Sequence, residues 1–295
     1  MADLTQVLAC MVICEGEHDL VVLRRILKDE FKFTEEKWTF SEFPAPLHLY
    51  FPTRLRDHAA GDLELGLVHE FFLPNYVFYR VEADLKARMV CLFRTGGDKK
   101  LQLAREFVAG LEFFRANAGH DLDYGDDGVR PVRTIGEMRW LFINDADDKG
   151  PDGVRQLTLQ NWATINDQAW LTGPWIIDAA NPLAAHCGNK AQYVWSANGI
   201  NGTLEDVLYP VVEANFRPLL DECSTFARQH FPLKNQDIAT LAKHKKRSLT
   251  MAGQGDKPGH GLHLVLKEGK LLQDEALMSN QSIKDFIQFL RDFIK

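Results

Sequence analysis

Residues 8–19 read LACMVICEGEHD, in which a continuous apolar run passes directly into three acidic residues around a glycine. The apolar run over residues 6–14 predicts a buried β-strand. Gly16 permits a sharp turn, and Asp19 can cap a helix that continues over residues 20–28. Carboxylates at the end of a strand repel one another, so such a cluster is favourable when it holds a hard cation with oxygen ligands, such as Mg²⁺.

A second acidic motif has the same setting. Residues 139–144 predict another strand, and Asp145-Ala146-Asp147-Asp148 follows it. Alternate residues of an extended segment point to the same side, so we expect Asp145 and Asp147 to reach one ion and Asp148 to face solvent. The simpler alternative is an acidic turn without a ligand.

The order of predicted elements indicates the fold class. A strand over residues 87–93 lies between the two acidic motifs, followed by Gly96 and Gly97 and by a helix over residues 99–116. The order strand–helix–strand–helix–strand predicts an α/β fold with a parallel sheet flanked by helices. Ligands of such sheets bind beyond the carboxyl ends of the strands, where both acidic motifs are placed.

Composition limits the protein class. The chain has 295 residues, of which 45% are hydrophobic, and we expect one domain over residues 1–295. The net charge of −7 predicts no large basic surface for nonspecific DNA binding. Five irregularly spaced cysteines argue against a disulfide framework. No positively charged leader and no membrane-length apolar run is evident, so we expect a cytoplasmic protein.

Two further regions, an insertion in the first half of the chain and the C-terminal part, predict additional structure. Residues 30–87 are rich in aromatic residues and too apolar for disorder, so they predict an ordered insertion. These aromatic residues could stack nucleic-acid bases, but a local core or a protein interface is the commoner use. Residues 203–216 predict a helix capped by Thr203. We expect an α/β extension over residues 217–295, ending in a helix over residues 282–294.

The motifs together resemble a known family. Glu-Gly-x-x-Asp after the first strand, Gly-Gly after the second and Asp-x-Asp after the third resemble the Toprim (topoisomerase–primase) domain. The segment GTLED at residues 202–206 narrows the resemblance to Toprim domains of OLD-family nucleases. Each motif alone is common, and their order after three strands gives the resemblance its specificity. The resemblance covers residues 6–30 and 87–216 and is weaker around Lys246. It implies a Toprim-like Rossmannoid fold, with a parallel sheet flanked by helices.

The resemblance implies roles for five carboxylates. Glu15, Asp145 and Asp147 would be catalytic and would bind Mg²⁺, with Mn²⁺ as a substitute. The alternative for Glu15 is that it is only a carboxylate at the end of a strand, facing water. Asp19 either binds a second ion or only caps its helix. Glu205 either completes the ligands of that ion or is only a favourable charge at a helix N-terminus. One or two ions would activate water and stabilise the leaving oxygen.

Lysines supply the remaining part of the expected site. Lys245 and Lys246 lie near the position at which OLD-like nucleases carry a lysine that stabilises phosphate charge, and Lys246 is our candidate. The alternative is a solvated run of charge. His18 and His120 are left out of the expected site because Mg²⁺ prefers oxygen ligands.

The resemblance also implies a substrate and a partner. It implies a metal-dependent endonuclease that acts on nucleic acid, either DNA or RNA. No G-x-x-x-x-G-K-[ST] motif occurs in the sequence, so we expect the ATPase that accompanies many OLD-like domains to be a separate partner protein. Stand-alone Toprim effectors of this type act in anti-phage defence. The rival readings are a non-catalytic module that binds nucleic acid or protein, and a Toprim-type phosphotransfer enzyme.

Overall fold

The computed structural model describes residues 5–59, 73–82, 86–96, 101–117, 133–233, 235 and 237–295. The strands are β1 (Thr5–Cys14), β2 (Thr34–Glu36), β3 (Tyr76–Val81), β4 (Ala87–Arg94), β5 (Arg133–Asp145), β6 (Thr164–Ile165), β7 (Gln168–Ala169), β8 (Ile176–Ile177), β9 (Ala184–Cys187) and β10 (Lys190–Trp195). The helices are α1 (Glu17–Asp29), α2 (Leu47–Ala59), α3 (Leu101–Asn117), α4 (Gly150–Trp162), α5 (Leu204–His230), α6 (Ile238–Gly253), α7 (Leu262–Glu268), α8 (Asp274–Ser279) and α9 (Gln281–Phe293). Gly97 and His120 lie outside the described residues.

Eight strands form one sheet in the order β2-β3-β4-β1-β5-β10-β9-β8. The four central strands, β4, β1, β5 and β10, are parallel. The outer strands on both sides run antiparallel to their neighbours. The predicted α/β fold, with a parallel sheet flanked by helices, is therefore confirmed. Because parallel strands share one carboxyl edge, both acidic motifs lie at the same edge of the sheet.

Both faces of the central sheet are buried, which explains the unbroken apolar runs of the sequence. Cys10, Val12 and Cys14 of β1 face a core shared with α1 and the C-terminal helices. Met11 and Ile13 of β1 face a second core on the opposite side, shared with α2 and α3. No helix of the described part of the chain is both long enough and apolar enough to cross a membrane.

The aromatic insertion extends the sheet and builds part of the second core. Its strands β2 and β3 continue the sheet beyond β4. The ring of Phe51 packs between Phe43 and Phe107, with centroid distances of 4.8 and 6.2 Å. The hydroxyl of Tyr50 donates a hydrogen bond of 2.6 Å to the carbonyl of Phe107. These buried rings form a local core, as expected, and are not available for base stacking.

The C-terminal region differs from the prediction. The expected α/β extension over residues 217–295 is wrong, because its described residues form helices and no strand. Helix α5 also continues past Phe216, where the backbone leaves helical geometry at φ −130° and ψ 28°. Pro218 explains the kink, since its ring has no N–H to donate and crowds the preceding turn. Helix α9 matches its prediction, and its regularly spaced apolar residues are buried.

Candidate active site

A cleft of about 500 Å³ lies at the carboxyl edge of the sheet. Its wall contains every side chain that the sequence assigns to metal binding or catalysis, namely Glu15, Asp19, Asp145, Asp147, Glu205 and Lys246. These residues come from the ends of β1 and β5 and from the helices α1, α5 and α6. The fold thus brings together residues that are widely separated in the sequence.

Backbone hydrogen bonds between two neighbouring turns position Glu15 in the wall of the cleft. The N–H of Thr95 donates 2.9 Å to the carbonyl of Cys14, and the N–H of Gly96 donates 3.1 Å to the carbonyl of Glu15. Gly96 has a φ of 64°, a conformation that glycine adopts without steric cost. Gly96, which the sequence places in the turn after the second predicted strand, therefore links that turn by a hydrogen bond to the first acidic motif.

Asp19 is buried between two hydrogen-bond donors. Its Oδ2 accepts from the N–H of Gly16 at 2.8 Å, and its Oδ1 accepts from Nε1 of Trp195 at 3.0 Å. Helix α1 begins at Glu17, so Asp19 caps from within the first turn and does not precede the helix. Each oxygen of Asp19 accepts one hydrogen bond and keeps a second lone pair, so both roles left open by the sequence fit this geometry.

Electrostatics set Asp19 apart from an ordinary carboxylate. The pKa of Asp19 is raised to about 7, chiefly by burial and also by the charges of Glu15 and Glu205, against the lowering effect of the two hydrogen bonds. A carboxyl group in this setting resists ionisation unless a positive charge arrives.

Asp145 and Asp147 both line the cleft, as expected. However, the alternation of side chains along a strand, which was the basis of that expectation, does not place Asp147 there. Asp145 ends β5, and its Oδ1 accepts from the N–H of Leu204 at 2.8 Å. Asp147 has a φ of 48° and so does not continue the strand. Its backbone exchanges two hydrogen bonds with Gly202, of 2.8 and 3.1 Å. Gly202 has a φ of 109°, and a Cβ there would lie 2.9 Å from the nitrogen of Ala197.

The turn at Gly202 therefore joins the second acidic motif to the start of α5 through these backbone hydrogen bonds. Burial raises the pKa of Asp145 well above its ordinary value, and the charges of Asp19, Glu205 and Glu15 add to this effect. Burial also raises the pKa of Asp147, against the opposing charge of Lys149. Asp148 is 80% exposed, as the sequence predicted.

Glu205 differs from the other acids because two basic side chains lie beside its carboxylate. Its Oε1 lies 2.8 Å from Nδ1 of His18 and 3.6 Å from Nζ of Lys246. Burial alone would raise its pKa, but the hydrogen bond and charge of His18, with the charge of Lys246, lower it to about 2. Glu205 is therefore an anion in the first turn of α5, where the helix dipole also favours it. No local sequence pattern indicates the contact with His18, which is 187 positions away.

The structure separates the two candidate lysines. Lys246 lines the cleft together with Lys243, and half of its side chain is exposed. Lys245 instead pairs with Asp206, which in turn accepts from the N–H of Thr203 at 2.8 Å and completes the cap of α5. Lys246 is therefore the lysine that can meet a ligand in the cleft.

Sequence comparisons yield no relative, since no protein family and no curated protein matches the chain. Among solved structures, a hypothetical protein of Pyrococcus horikoshii OT3 is similar to it, with 13% sequence identity and a TM-score of 0.49. The alignment covers 97% of this chain and 95% of that protein.

The donor set of the cleft fits a hard cation. All five candidate ligands are carboxylates, and such oxygen donors suit Mg²⁺ and not a soft metal. Within the described residues, no three His, Cys, Asp or Glu side chains are gathered as ligands of one ion. Mg²⁺ does not require such a trio, because it commonly keeps several waters and binds one or two carboxylates together with substrate phosphates.

Proposed function

We propose that this chain is a Mg²⁺-dependent phosphodiesterase that cleaves nucleic acid, organised like the Toprim domains of OLD-family nucleases. One observation carries the proposal. The carboxylates of three separate motifs, together with Lys246, line a single cleft at the carboxyl edge of the parallel sheet. Such an arrangement combines metal ligands with a cation suited to phosphate.

One or two ions would each be bound by one or two of the five carboxylates, with water and the substrate phosphate as the other ligands. When bound, Mg²⁺ supplies a Lewis acid that polarises the phosphate and lowers the pKa of a nearby water. The hydrogen bonds from Gly16 and Trp195 orient Asp19, and the N–H of Leu204 orients Asp145. The chain therefore fixes two of the candidate ligands through its backbone and core before any ion arrives.

Lys246 would bind the phosphate of the substrate. Its Nζ lies 3.6 Å from Glu205, which keeps the ammonium group beside the carboxylates without burying it. Lys243 lines the same cleft and adds a second positive charge. Local cations of this kind offset the net charge of −7, which otherwise repels a polyanionic substrate.

The wider biological setting is also part of the proposal. The absence of a P-loop motif from the sequence fits an effector controlled by a separate ATPase partner, as in the anti-phage systems that the motifs resemble. We infer a cytoplasmic location, because nucleic-acid substrates and such partners are found there.

Hydrolysis of small and polymeric phosphodiesters tests the proposal. We expect the purified chain with Mg²⁺ or Mn²⁺ to hydrolyse bis(p-nitrophenyl) phosphate, which needs no partner for placement, and to cleave DNA or RNA. Glu15→Gln and Asp145→Asn should each lose about a hundredfold or more in kcat. Asp148→Asn, a neighbouring exposed carboxylate, is the matched control and should retain activity. No metal-dependent hydrolysis of any of these substrates would overturn the proposal, and nucleic-acid binding without hydrolysis would favour a non-catalytic module.

A further inference from the structure

A second cavity of about 160 Å³ adjoins the same carboxylates on the side of α4. It shares Glu15, Asp145 and Asp147 with the first cleft, so the two cavities meet at these three side chains. Its other polar lining residues are Thr95, Asn144, Lys149, Thr158 and Asn161. Apolar walls come from Leu157 and Trp162. The proposed metal binding and the proposed phosphate contact of Lys246 give this cavity no function.

A chain of hydrogen bonds fixes the polar groups of the cavity. The hydroxyl of Thr158 donates 3.0 Å to the carbonyl of Val154, which can only accept. Thr158 must therefore accept from Nε2 of Gln192, at 2.8 Å. The same Nε2 donates 3.0 Å to Oδ1 of Asn144. Gln192 is completely buried, so this chain of bonds is set within the core.

The direction of these bonds determines what Asn144 offers to a ligand. Its Oδ1 is already occupied by Gln192, so its Nδ2 group remains as a donor in the cavity wall. Lys149 lines the same wall and adds a positive charge near it. Asn144 and Lys149 therefore favour a ligand with acceptor atoms at this wall, such as the carbonyl oxygens or ring nitrogens of a heterocycle.

The size of the cavity limits the ligand further. An apolar cavity of about 150 Å³ accepts a benzene ring, so a cavity of about 160 Å³ has room for one small ring and not for a base pair. Trp162 and Leu157 provide apolar contact for the ring, while Asn144 provides the polar contact. One nucleobase combines this size with this polarity.

We propose that this second cavity binds a single unpaired base of the nucleotide next to the scissile phosphate. The inference rests on the proposed phosphodiesterase function and names its substrate class, which is nucleic acid with an unpaired base at the cleavage site. A duplex would have to extrude that nucleotide, and the energy required for unstacking and unpairing disfavours it relative to a single strand.

Small chromogenic diesters test the inference. The p-nitrophenyl esters of thymidine 5′-phosphate and thymidine 3′-phosphate carry a base on either side of the phosphorus, and methyl p-nitrophenyl phosphate carries none. We expect kcat/KM for one thymidine ester to exceed that of the methyl ester by about tenfold or more. Asn144→Asp, which replaces the donor by an acceptor, and Leu157→Trp, which fills the cavity, should each remove most of this preference.

A matched control separates cavity filling from a general effect of a new tryptophan. Leu219 of α5 is 40% exposed and Leu157 is 39% exposed, but Leu219 does not line the cavity. Leu219→Trp should keep the preference of the native chain. Circular dichroism of each variant verifies that it is folded.

The possible results distinguish the two proposals. Hydrolysis of the methyl ester with no preference for either thymidine ester would overturn the base site and leave the phosphodiesterase intact. A preference that survives both Asn144→Asp and Leu157→Trp would also overturn the base site. Failure of the native chain to hydrolyse any of the three esters, together with failure to cleave DNA or RNA, would overturn the phosphodiesterase, and the base site with it. Faster cleavage of duplex than of single strands would contradict the substrate class.

Discussion

Trp195 donates a hydrogen bond of 3.0 Å from Nε1 to Oδ1 of Asp19, and this bond joins the end of β10 to the first turn of α1. Both side chains are buried. Because Gly16 occupies the other oxygen, donors hold both oxygens of the Asp19 carboxylate. Groups that orient a metal ligand in this way tune its affinity for the metal without touching the ion.

Trp195→Phe removes this donor and keeps an aromatic ring in the core. We expect the affinity for Mg²⁺ to fall about tenfold or more, since partners of metal ligands commonly have effects of that size. Titration calorimetry measures the affinity. Trp175→Phe is the control, because Trp175 donates its N–H to the carbonyl of Arg155 and does not contact a candidate ligand. If Trp195→Phe and Trp175→Phe bind Mg²⁺ with equal affinity, Asp19 is not a metal ligand that depends on Trp195.

The raised pKa of Asp19 predicts a pH dependence of stability in the metal-free protein. The folded chain holds the Asp19 proton up to a pH of about 7, whereas the ordinary pKa is 3.8. Between these values the folded state binds more protons than the unfolded state, so the free energy of unfolding should fall as pH rises. Urea unfolding in EDTA at several pH values measures this slope.

Asp19→Asn should reduce that slope, since the amide does not titrate, and the slope that remains comes from Asp145 and Asp147, whose pKa values burial also raises. The same proton competes with Mg²⁺, so the native chain should bind Mg²⁺ more tightly at pH 8 than at pH 6. An unchanged slope in Asp19→Asn would show that Asp19 titrates normally in the folded protein.

The two adjacent lysines should have different functions. Lys246→Ala should lower kcat for phosphodiester hydrolysis by about a hundredfold, because it removes a cation that faces the cleft. Lys245→Ala should reduce stability through the loss of its pairing with Asp206, while kcat changes little. Steady-state kinetics and thermal unfolding of both variants test this assignment. A larger loss of kcat in Lys245→Ala than in Lys246→Ala would contradict it.

Glu205 should stabilise the folded chain as an anion. Its pKa is lowered from 4.5 to about 2, so its contribution is present above pH 4.5 and is lost as pH falls through about 2. Glu205→Gln should therefore reduce the free energy of unfolding by about 1 to 3 kcal/mol at pH 7 in EDTA. Glu213→Gln, which breaks only a surface pair with Arg217, should have a much smaller effect. A stabilising Glu205→Gln would mean that repulsion among the carboxylates outweighs the attraction of His18 and Lys246.

The sequence was sufficient to predict the α/β sheet and the edge at which the acidic residues meet. The strands at residues 5–14 and 133–145 are buried on both faces, so their apolar patterns are continuous and easily recognised. Parallel pairing then places Glu15 and Asp145 at the same edge. Asp147 was predicted in the right cleft for the wrong reason, because its position depends on backbone bonds to Gly202.

The remaining contacts of the site depend on tertiary placement. His18, Trp195 and Leu204 reach the carboxylates only because β10 lies beside β5 and leads into α5, an order that local patterns do not specify. The choice between Lys245 and Lys246 is similar. Successive helical residues point in different directions, so the packing of α6 decides which lysine faces the cleft. Strand β9, which lies between β10 and the edge strand β8, has only four residues and carries little pattern, so the sequence does not indicate it.

The central claim is that carboxylates of separate motifs form one Mg²⁺ site, and calorimetry with matched aspartate variants tests it most directly. Asp145 lines the cleft, whereas Asp148, three positions along the chain, is 80% exposed. We predict that the native chain and Asp148→Asn bind Mg²⁺ with the same affinity and that Asp145→Asn binds it at least about tenfold more weakly. Equal Mg²⁺ binding by all three proteins, or no binding by the native chain, would contradict the claim.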